Sequence, residues 1–510
     1  MIIHKAKTIA FKILSNDKWF YAILFIIIIV QICSLDIFMP PWYDEDVFAD
    51  ISYSVAKHHN FLLNIHPLSS NNSQVFFFGP IFFYLQAFII NHIAFSAFFF
   101  RLPVYIYGAL AAVIFGKILF AITKNKIFSR IFVILFFTNF LICGSLSCGR
   151  MEMVTLFFVS LSLLFFLKNY VSKSPSGIAL DSIVSGIMFC LAVLTTPRSS
   201  FLYFLFALPF FKILVKGIQA KKFKLICFPF IHFFISFGIP YFVWYYPHLG
   251  NPVEIFSYIT PSVETQISVT NNQIDINSFC WLLINIFLLI YALLKKIRLP
   301  DYLYGFIASC IIFISVVIPW SYHHGMIVPV LIMNTVLLLF FYIQQQASSV
   351  LASNFLVIVF CIQTFFTGIK YTIIWIDLPS RNSHTLEKII QQYIPQKSKV
   401  IGSYNYYYAI INTDCEFRSI EDNTEIATGK PVPVIKKVDY LINVYKGGYI
   451  IIRDDEKETL QPFIATNKFK KIASLTIPEG YQTSWQKNRN KFGLSAATFY
   501  NGSIYKRITE

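Results

Sequence analysis

The chain has 510 residues, of which 56% are hydrophobic, 18% aromatic and only 13% charged. This balance excludes an ordinary soluble globular protein and is typical of a polytopic membrane protein. The formal net charge is +16, but no aromatic-interleaved basic patch or nucleic-acid-binding motif accompanies it, so nucleic acid is excluded as a partner and the excess Lys and Arg is interpreted as a topology signal.

The N-terminal segment and the cysteines add two expectations. Lysines precede an apolar stretch that is as long as a full span and lacks a small-residue cleavage site, so we expect a retained first span. Eight of the nine cysteines lie within or beside apolar runs and there is no C-x-x-C pair. The sequence therefore predicts neither a disulfide framework nor a zinc site.

Apolar runs follow one another along the first three quarters of the chain. A membrane-spanning helix needs about 20 apolar residues, and we predict about eleven such helices. They cover residues 19–39, 101–123, 128–147, 153–168, 178–196, 199–215, 225–244, 278–294, 301–318, 325–343 and 350–370. Residues 76–94, although apolar, are predicted to be an interfacial or re-entrant element, because counting them as a crossing inverts every later loop and its charges.

The distribution of Lys and Arg then predicts the orientation. Cytosolic segments would contain Lys124, Lys126, Arg130, Lys168, Lys173, Lys212, Lys216, Lys221, Lys222, Lys224, Lys295, Lys296 and Arg298. The opposite side is nearly free of them: only Lys57 lies between residues 40 and 100, and the loop 245–277 has no Lys or Arg. This bias predicts a cytosolic N-terminus and an outer side that carries both loops.

An odd number of crossings also carries the polar tail to the outer side. We predict a transmembrane domain over 1–370, whose first outer loop with juxtamembrane helices covers 40–100, and a small extracytoplasmic domain over 371–510. The tail contains a helix-like "TLEKIIQQYI" and strand-like "KVIGSYNYYYAI" and "GGYIIIRDDE". This alternation predicts an α/β or α+β fold, which would cap the site or bind the acceptor.

Acidic residues cluster directly after the first span, in "PPWYDEDVFADISYS". A helix that begins at Glu45 would place Asp46 and Asp50 away from its apolar face, as in an amphipathic helix on the outer membrane surface with Asp44 as its N-cap. Capping needs one short side chain, so the adjoining Asp44 and Glu45 favour a second interpretation. A carboxylate at the mouth of a cavity can act as a general base or hold a divalent cation.

Two arginines break the charge pattern at the outer ends of spans. Arg150, in "CGRMEM", and Arg198, in "TTPRSS", either extend to lipid headgroups or face a cavity that receives an anion. His323 and His324 also lie at an outer span end, where they are either interfacial or bind a phosphate or an acceptor.

Outer carboxylates opposite buried arginines fit group transfer from a lipid phosphate. Arginine binds phosphate in a planar fork and stabilises the charge that develops on the leaving group, while a base on the opposite face of the sugar removes the acceptor's proton. Such a displacement inverts the anomeric centre. The alternatives are a lipid-linked glycan flippase and a non-catalytic binder of lipid-linked sugars. A transporter would place charges near mid-membrane and contain internal repeats, neither of which we find in the sequence.

Several segments resemble a known family. "WYDEDVFADISYSVAKHHNF" resembles the Asp-Glu signature in the first outer loop of the lipid-dependent GT-C glycosyltransferases, in the branch of the protein O-mannosyltransferases and the lipid A aminoarabinose transferase. "GPIFFYLQAFI", "FRLPVYIYGALAAVIFGKILF", "GRMEMVTLFFVSLSLLFF" and "LTTPRSSFLYFLFALPFF" resemble later blocks in the family's order. The resemblance covers roughly residues 20 to 345, and it implies a GT-C-like fold.

The resemblance also implies roles for particular residues. It makes Asp44 the catalytic base, Glu45 the neighbour that positions or polarises it, and Glu152 the second acidic residue. Arg150 and Arg198 become candidates for the lipid phosphate. One departure is Gly79, which precedes Pro80 where relatives carry Lys or His, so any contact from that side chain is absent.

The implied partners are a polyprenyl-phosphate-linked sugar, a lipid, glycan or protein acceptor, and membrane lipids. No His and carboxylate cluster has a spacing that demands a metal, so we assign no metal ligand, and a divalent cation stays a candidate cofactor. The tail lacks the MIR-like repeat that eukaryotic protein mannosyltransferases carry. We therefore expect a bacterial inner membrane protein with its active site on the periplasmic side.

Overall fold

The computed structural model describes residues 14–39, 41, 43–65, 76–172, 178–251, 276–317, 321–345, 349–376, 378–381, 383–420, 441–442, 445–454, 457–475 and 500–508. The helices are α1 Asp17–Ile32, α2 Tyr43–His58, α3 Pro80–His92, α4 Ala97–Thr123, α5 Lys126–Thr138, α6 Phe140–Leu146, α7 Glu152–Ser172, α8 Ile178–Val193, α9 Phe204–Gln219, α10 Phe223–Phe233, α11 Tyr246–Leu249, α12 Ile276–Leu294, α13 Asp301–Val317, α14 Val328–Gln345, α15 Ser349–Ile376, α16 Leu378–Arg381, α17 Ser383–Tyr393, α18 Tyr407–Ile411 and α19 Lys457–Thr466.

Short 3-10 and π-helical segments join or precede several of these helices. The 3-10 segments are Pro197–Tyr203, Ser321–Met326 and Tyr404–Tyr406, and the π-helical segments are Phe234–Gly238 and Tyr241–Tyr245. The strands are β1 Lys399–Gly402, β2 Glu416–Ser419, β3 Tyr449–Arg453, β4 Phe469–Leu475 and β5 Gly502–Arg507.

The described part of the chain contains six helices that are long and apolar enough to cross a membrane, or seven if one bent pair forms a single span. The six are Ala97–Thr123, Pro197–Gln219, Ile226–Leu249, Asn277–Leu294, His324–Gln345 and Ile358–Ile376. The protein is therefore a multi-pass membrane protein. Each of the eleven predicted spans overlaps a helix, but within the described residues these six, or seven with the bent pair, are the ones found long and apolar enough, so the count of eleven crossings stays a prediction.

The bent pair consists of α5 and α6, whose axes differ by 68°. Asn139 breaks the helix: its backbone is extended, and its side chain accepts hydrogen bonds from the N–H groups of Leu141 and Ile142 as an N-cap. The carbonyls left at the break find partners on other helices. Gln31 of α1 donates to the Phe137 carbonyl at 2.6 Å, and Thr367 of α15 donates to the Thr138 carbonyl.

The C-terminal region contains a mixed five-stranded sheet of order β2-β1-β3-β5-β4. β1 pairs in parallel with β2 and β3, whereas β5 pairs antiparallel with β3 and β4. The predicted strand "KVIGSYNYYYAI" is wrong in its second half, because only Lys399–Gly402 is extended and the tyrosines lie in a 3-10 turn and in α18. The proposed division at residue 370 falls inside α15, which continues to Ile376.

The sheet packs against the membrane helices rather than lying apart from them. One continuous hydrophobic core joins residues of α2, α4 and α7 to residues of the C-terminal sheet region such as Val400, Tyr407 and Ile451. This packing places the start of α18 next to α2, the helix that carries the acidic cluster.

Candidate active site

Arg150 joins two carboxylates that come from different parts of the chain. Its Nη1 donates to Asp44 Oδ2 of α2, its Nε lies 3.1 and 3.2 Å from the two carboxylate oxygens of Glu152, and its Nη2 lies 2.8 Å from Glu152 Oε1. Arg150 and Glu152 are buried, with side chains 4% and 3% exposed, whereas Asp44 is 24% exposed. Two predicted catalytic residues and one predicted phosphate ligand therefore meet at one guanidinium.

Helix ends place these groups. Asp44 lies in the first turn of α2 and Glu152 in the first turn of α7, where the positive end of the helix dipole stabilises a carboxylate. The turn before α7 approaches α2 closely: a Cβ on Gly149 would overlap the Phe100 ring and lie 3.0 Å from Glu45 Cγ. A glycine at this position therefore allows Arg150 to reach Asp44.

Glu45 is paired with an arginine that the sequence analysis did not assign to the site. Arg101 of α4 binds Glu45 in a planar fork at 2.7 and 2.8 Å, and both side chains are fully buried. Arg101 also donates to the carbonyls of Leu35 and Met39, at 2.7 and 2.9 Å. The signal was present in the sequence, because "FRLP" places a charge at the outer end of a span, as "CGRMEM" does.

The interpretation of α2 as an amphipathic helix with an uncovered acidic side is wrong, while its position at the outer membrane surface stays a prediction. Asp46 is fully buried and Asp50 is 4% exposed, so the acidic side of the helix is covered as well as its apolar side. Asp50 Oδ2 accepts the N–H groups of Asn64 and Ile65, and its Oδ1 accepts the hydroxyl of Tyr407 at 3.3 Å. Burial raises the pKa of the Asp50 carboxyl, although these hydrogen bonds oppose the shift.

Asp44 is therefore the accessible carboxylate of the cluster. Of the five acidic residues Asp44, Glu45, Asp46, Asp50 and Glu152, it is the one more than 5% exposed. It is also in the first turn of α2 rather than its N-cap, because the helix begins at Tyr43. Asp44 is thus open to solvent, whereas the other four carboxylates are covered by protein.

Arg198 lies across an aromatic pair from Arg150. Its guanidinium carbon is 5.9 Å from the centre of the Phe78 ring, that of Arg150 is 5.5 Å from the Phe48 ring, and the two rings contact edge to face at 5.1 Å. The two guanidinium groups thus flank one apolar wall, each over the face of a ring.

Gly79 allows the start of α3 to approach the end of α8 closely, beside Arg198. A Cβ at Gly79 would overlap the backbone of Leu194, and the N–H of Ile81 donates to the Leu194 carbonyl at 3.2 Å. No Lys or His fits at this position in this chain. The close approach instead brings the loop of Phe78 beside the turn that carries Arg198.

The two histidines lie in the short 3-10 helix Ser321–Met326. The His324 ring is fully buried, with its Nδ1 2.9 Å from the Ser278 hydroxyl. The His323 side chain falls outside the described part of the structure. A Cβ on Gly325 would lie 3.6 Å from the Met153 methyl group, so this helix packs beside the start of α7.

The residues present do not fit a divalent cation at the acidic cluster. Among the described residues, no group of three or more His, Cys, Asp or Glu side chains could hold a metal ion. Asp44 and Glu152 share the Arg150 guanidinium, and Glu45 is held by Arg101. A cation would have to displace a buried arginine from its carboxylate, which leaves that arginine unpaired at a cost of several kcal/mol.

No protein-family model and no curated protein matches the sequence. Solved structures do match. The structure of ArnT from Cupriavidus metallidurans bound to undecaprenyl phosphate has a TM-score of 0.51 at 11% identity, over 97% of this chain and 99% of that chain. The structure of an Archaeoglobus fulgidus oligosaccharyltransferase tethered to an acceptor peptide with the NVT sequon has a TM-score of 0.51 at 12% identity, over 88% of this chain and 71% of that chain.

The chain has the GT-C fold. This confirms the fold that the resemblance of the sequence motifs implied, and the match extends beyond residue 345 into the C-terminal region. Identities of 11% and 12% carry no information on individual side chains. The roles of Asp44, Glu45, Glu152, Arg150, Arg198, His323 and His324 therefore stay predictions on the GT-C fold.

Proposed function

We propose that this protein is an integral-membrane glycosyltransferase that moves a sugar from a polyprenyl phosphate to an acceptor hydroxyl or phosphate, with inversion. The observation that carries the proposal is the pairing of the accessible Asp44 with the buried Arg150, which Glu152 holds from the other side. The GT-C fold and the two structural neighbours, one with undecaprenyl phosphate and one with an acceptor peptide, support the same class of donor and acceptor.

Asp44 acts as the general base. The acceptor oxygen forms a bond to the anomeric carbon while the bond from that carbon to the phosphate oxygen breaks. The acceptor's proton goes to Asp44, and the polyprenyl phosphate leaves with the bonding electron pair. Arg150 orients the Asp44 carboxylate, and Glu152 holds Arg150 in place through its two oxygens. A positioned base contributes typically 10²- to 10⁴-fold to such a rate.

The arginines stabilise the leaving group. A phosphate that gains charge near Arg198 and Arg150 meets two preorganised guanidinium groups beside an apolar wall, where charge is stabilised more strongly than in water. Glu45 takes a positioning role, since its two oxygens are occupied by Arg101. His323 and His324 are proposed to contact the donor phosphate or the acceptor.

The proposed setting follows from the charge distribution. The protein would lie in a bacterial inner membrane with its N-terminus in the cytosol and its acidic cluster and C-terminal region on the periplasmic side. The donor's tail would lie among the membrane helices, with its phosphate at the end of the bundle that carries Asp44.

The test is Asp44→Asn with a matched control. Mass spectrometry of outer-leaflet lipids and glycans, with and without the intact gene, identifies the product, and the purified variants are then assayed in proteoliposomes. Asp17→Asn is the control, because Asp17 is also paired with an arginine, Arg130, but lies at the start of α1 and is 60% exposed. We expect Asp44→Asn to lose at least about 100-fold in transfer while it still binds donor lipid, and Asp17→Asn to keep its activity.

Other outcomes contradict the proposal. A flippase would continue to move lipid-linked glycan across the bilayer in the Asp44→Asn variant, and it would form no new glycosidic bond in the wild type. A non-catalytic binder would show no product that depends on the intact gene, and its donor affinity would be unchanged.

A further inference from the structure

The C-terminal lobe, defined as the described residues from Ser383 to Ile508, contributes side chains to the acidic cluster. We propose that Tyr408 and Tyr407, at the start of α18, are positioning residues that fix α2 and thereby Asp44 for the reaction proposed above, on which this inference rests. The lobe is then a wall of the active site rather than a separable acceptor-binding module.

Tyr408 contacts Glu45, the residue next to the proposed base Asp44. Its hydroxyl donates to Glu45 Oε1 at 3.4 Å, although the two residues are 363 positions apart in the chain. Glu45 therefore receives three donors: two from Arg101 in α4 and one from the lobe. Because Glu45 is adjacent to Asp44 in the first turn of α2, these donors set the position of that turn.

Tyr407 fixes the same helix at a second point. Its hydroxyl donates to Asp50 Oδ1, and the other Asp50 oxygen accepts the N–H groups of Asn64 and Ile65. The loop after α2, which contains Asn64 and Ile65, is in turn bound to the lobe, because the Ser419 N–H donates to the Ile65 carbonyl at 2.9 Å. A closed connection therefore runs from the lobe through Asp50 and the loop after α2 back to the lobe.

Aromatic rings also pack against Tyr407 and Tyr408. The Phe95 ring, between α3 and α4, lies 5.2 Å from the Tyr408 ring and 6.1 Å from the Tyr407 ring, and Phe100 lies 6.1 Å from Tyr408. Tyr407 is fully buried and Tyr408 is 4% exposed. Both hydroxyls donate to buried carboxylates, Glu45 and Asp50, and the low dielectric around buried groups strengthens such hydrogen bonds.

The chain offers a matched control beside the two tyrosines. Tyr406 is also fully buried, but its hydroxyl donates to the Asn501 carbonyl at 3.3 Å within the lobe. Tyr406→Phe therefore removes a comparable buried hydroxyl whose hydrogen bond to Asn501 lies within the lobe. Any effect that is specific to Tyr407→Phe and Tyr408→Phe reports on the contact with the acidic cluster.

The first measurement is hydrogen exchange of the full-length protein in nanodiscs, which needs no transfer activity. In Tyr408→Phe and Tyr407→Phe we expect roughly threefold to tenfold faster exchange in peptides that cover residues 43–65, the effect of losing one hydrogen bond. Tyr406→Phe should leave those peptides at the wild-type rate. Equal exchange of these peptides in Tyr408→Phe and Tyr406→Phe overturns the proposal.

The second measurement separates positioning from general stability. With an active wild type, we expect Tyr408→Phe to lower kcat at least about threefold with the KM for the donor unchanged, whereas Tyr406→Phe changes neither. An unchanged kcat in Tyr408→Phe overturns the positioning role. An inactive wild type overturns the proposed function instead, and the exchange experiment still reports whether the lobe holds α2.

Discussion

Glu45 and Arg101 form a buried ion pair directly beside the proposed base Asp44. Both side chains are fully buried, and within the described part of the chain Arg101 donates two hydrogen bonds to Glu45 and two to backbone carbonyls of residues 35 and 39. Burial of an ion pair gains little net free energy, but removal of one partner leaves the other charge unpaired. The pair therefore stabilises a specific arrangement of α2 against α4.

Loss of Arg101 alone should therefore destabilise the protein strongly, and a second substitution at Glu45 should compensate for it. Arg101→Met should lower the free energy of unfolding by about 3–5 kcal/mol, because the Glu45 carboxylate is left buried alone, and Glu45→Leu in the same chain should restore most of that loss. Thermal unfolding in nanodiscs measures both. The control is Lys212→Met, which breaks the partly exposed pair with Asp301 and should cost less than about 1 kcal/mol. A double variant no more stable than Arg101→Met contradicts the prediction.

Asp50 predicts a pH dependence of stability. Burial raises its pKa in the folded protein above the unfolded value, so the folded state binds the proton more tightly. The stability that this proton contributes is fully present below the unfolded pKa of about 3.9 and is lost as the pH rises through the folded pKa. Asp50→Asn keeps an acceptor for the N–H groups of Asn64 and Ile65 and carries no charge.

We therefore expect the Asp50→Asn variant to gain stability relative to the wild type as the pH rises, by up to about 1.4 kcal/mol per pH unit within that window. Thermal unfolding at a series of pH values measures the difference. The control is Asp414→Asn, because Asp414 is exposed and its charge stays in water in both states. A difference between Asp50→Asn and wild type that is flat with pH, or that falls as pH rises, contradicts the assignment.

At the scale of elements, the close contact between the start of α3 and the end of α8 requires a glycine at position 79. A Cβ on Gly79 would overlap the backbone of Leu194, and backbone cannot move aside as the end of a flexible side chain can. The contact orients the loop that carries Phe78, over which Arg198 lies. The geometry of the second guanidinium is therefore set by a glycine.

Gly79→Ala is expected to destabilise the protein by about 1–3 kcal/mol and to weaken donor binding, because the loop must move away from α8. Gly144→Ala is the control: Gly144 lies inside α6 with no atom within 4 Å of the added Cβ, so the variant should be neutral or slightly more stable. Thermal unfolding and binding of undecaprenyl phosphate measure the two effects. Equal stability of the two variants contradicts this account.

The sequence predicted those features that depend on residues close to one another in the chain. The spacing of Arg150 and Glu152 and the acidic start of α2 were visible in the sequence, and the structure brings these residues together. The burial of Asp46 and Asp50 was not visible, because a segment more than 350 positions away covers them. Tyr407 has strong strand propensity but lies in a helix, where it contacts Asp50 of α2 and Phe95 between α3 and α4, as tertiary contacts often override propensity.

At the scale of the whole molecule, the candidate site exists only when separate segments of the chain meet. Asp44, Arg101, Arg150 and Tyr408 belong to α2, α4, the turn before α7 and α18. The carboxylates of α2 could not be held in this arrangement by α2 alone, since Asp44 and Glu45 each accept hydrogen bonds from other elements. Folding of the C-terminal region and formation of the acidic cluster are therefore expected to be cooperative.

The predicted orientation in the membrane decides on which side of it the acidic cluster lies. The predicted outer loops, residues 40–100 and 245–277, contain one Lys and no Arg, whereas the predicted cytosolic segments are rich in both, so the positive-inside rule predicts that Asp44 lies outside the cytosol. Three exposed lysines report on the two sides: Lys57 at the end of α2, Lys388 in α17 and Lys126 at the start of α5.

Single cysteines at these three positions test the orientation in a chain whose exposed native cysteines, at positions 33, 280 and 361, are replaced by serine. A membrane-impermeant maleimide applied to cells with a permeabilised outer membrane should label Lys57→Cys and Lys388→Cys and should label Lys126→Cys only after the inner membrane is lysed. Labelling of Lys126→Cys alone would invert the topology. Labelling of Lys57→Cys without Lys388→Cys would separate the lobe from the acidic cluster, which the contacts of Tyr408 and Tyr407 with α2 do not allow.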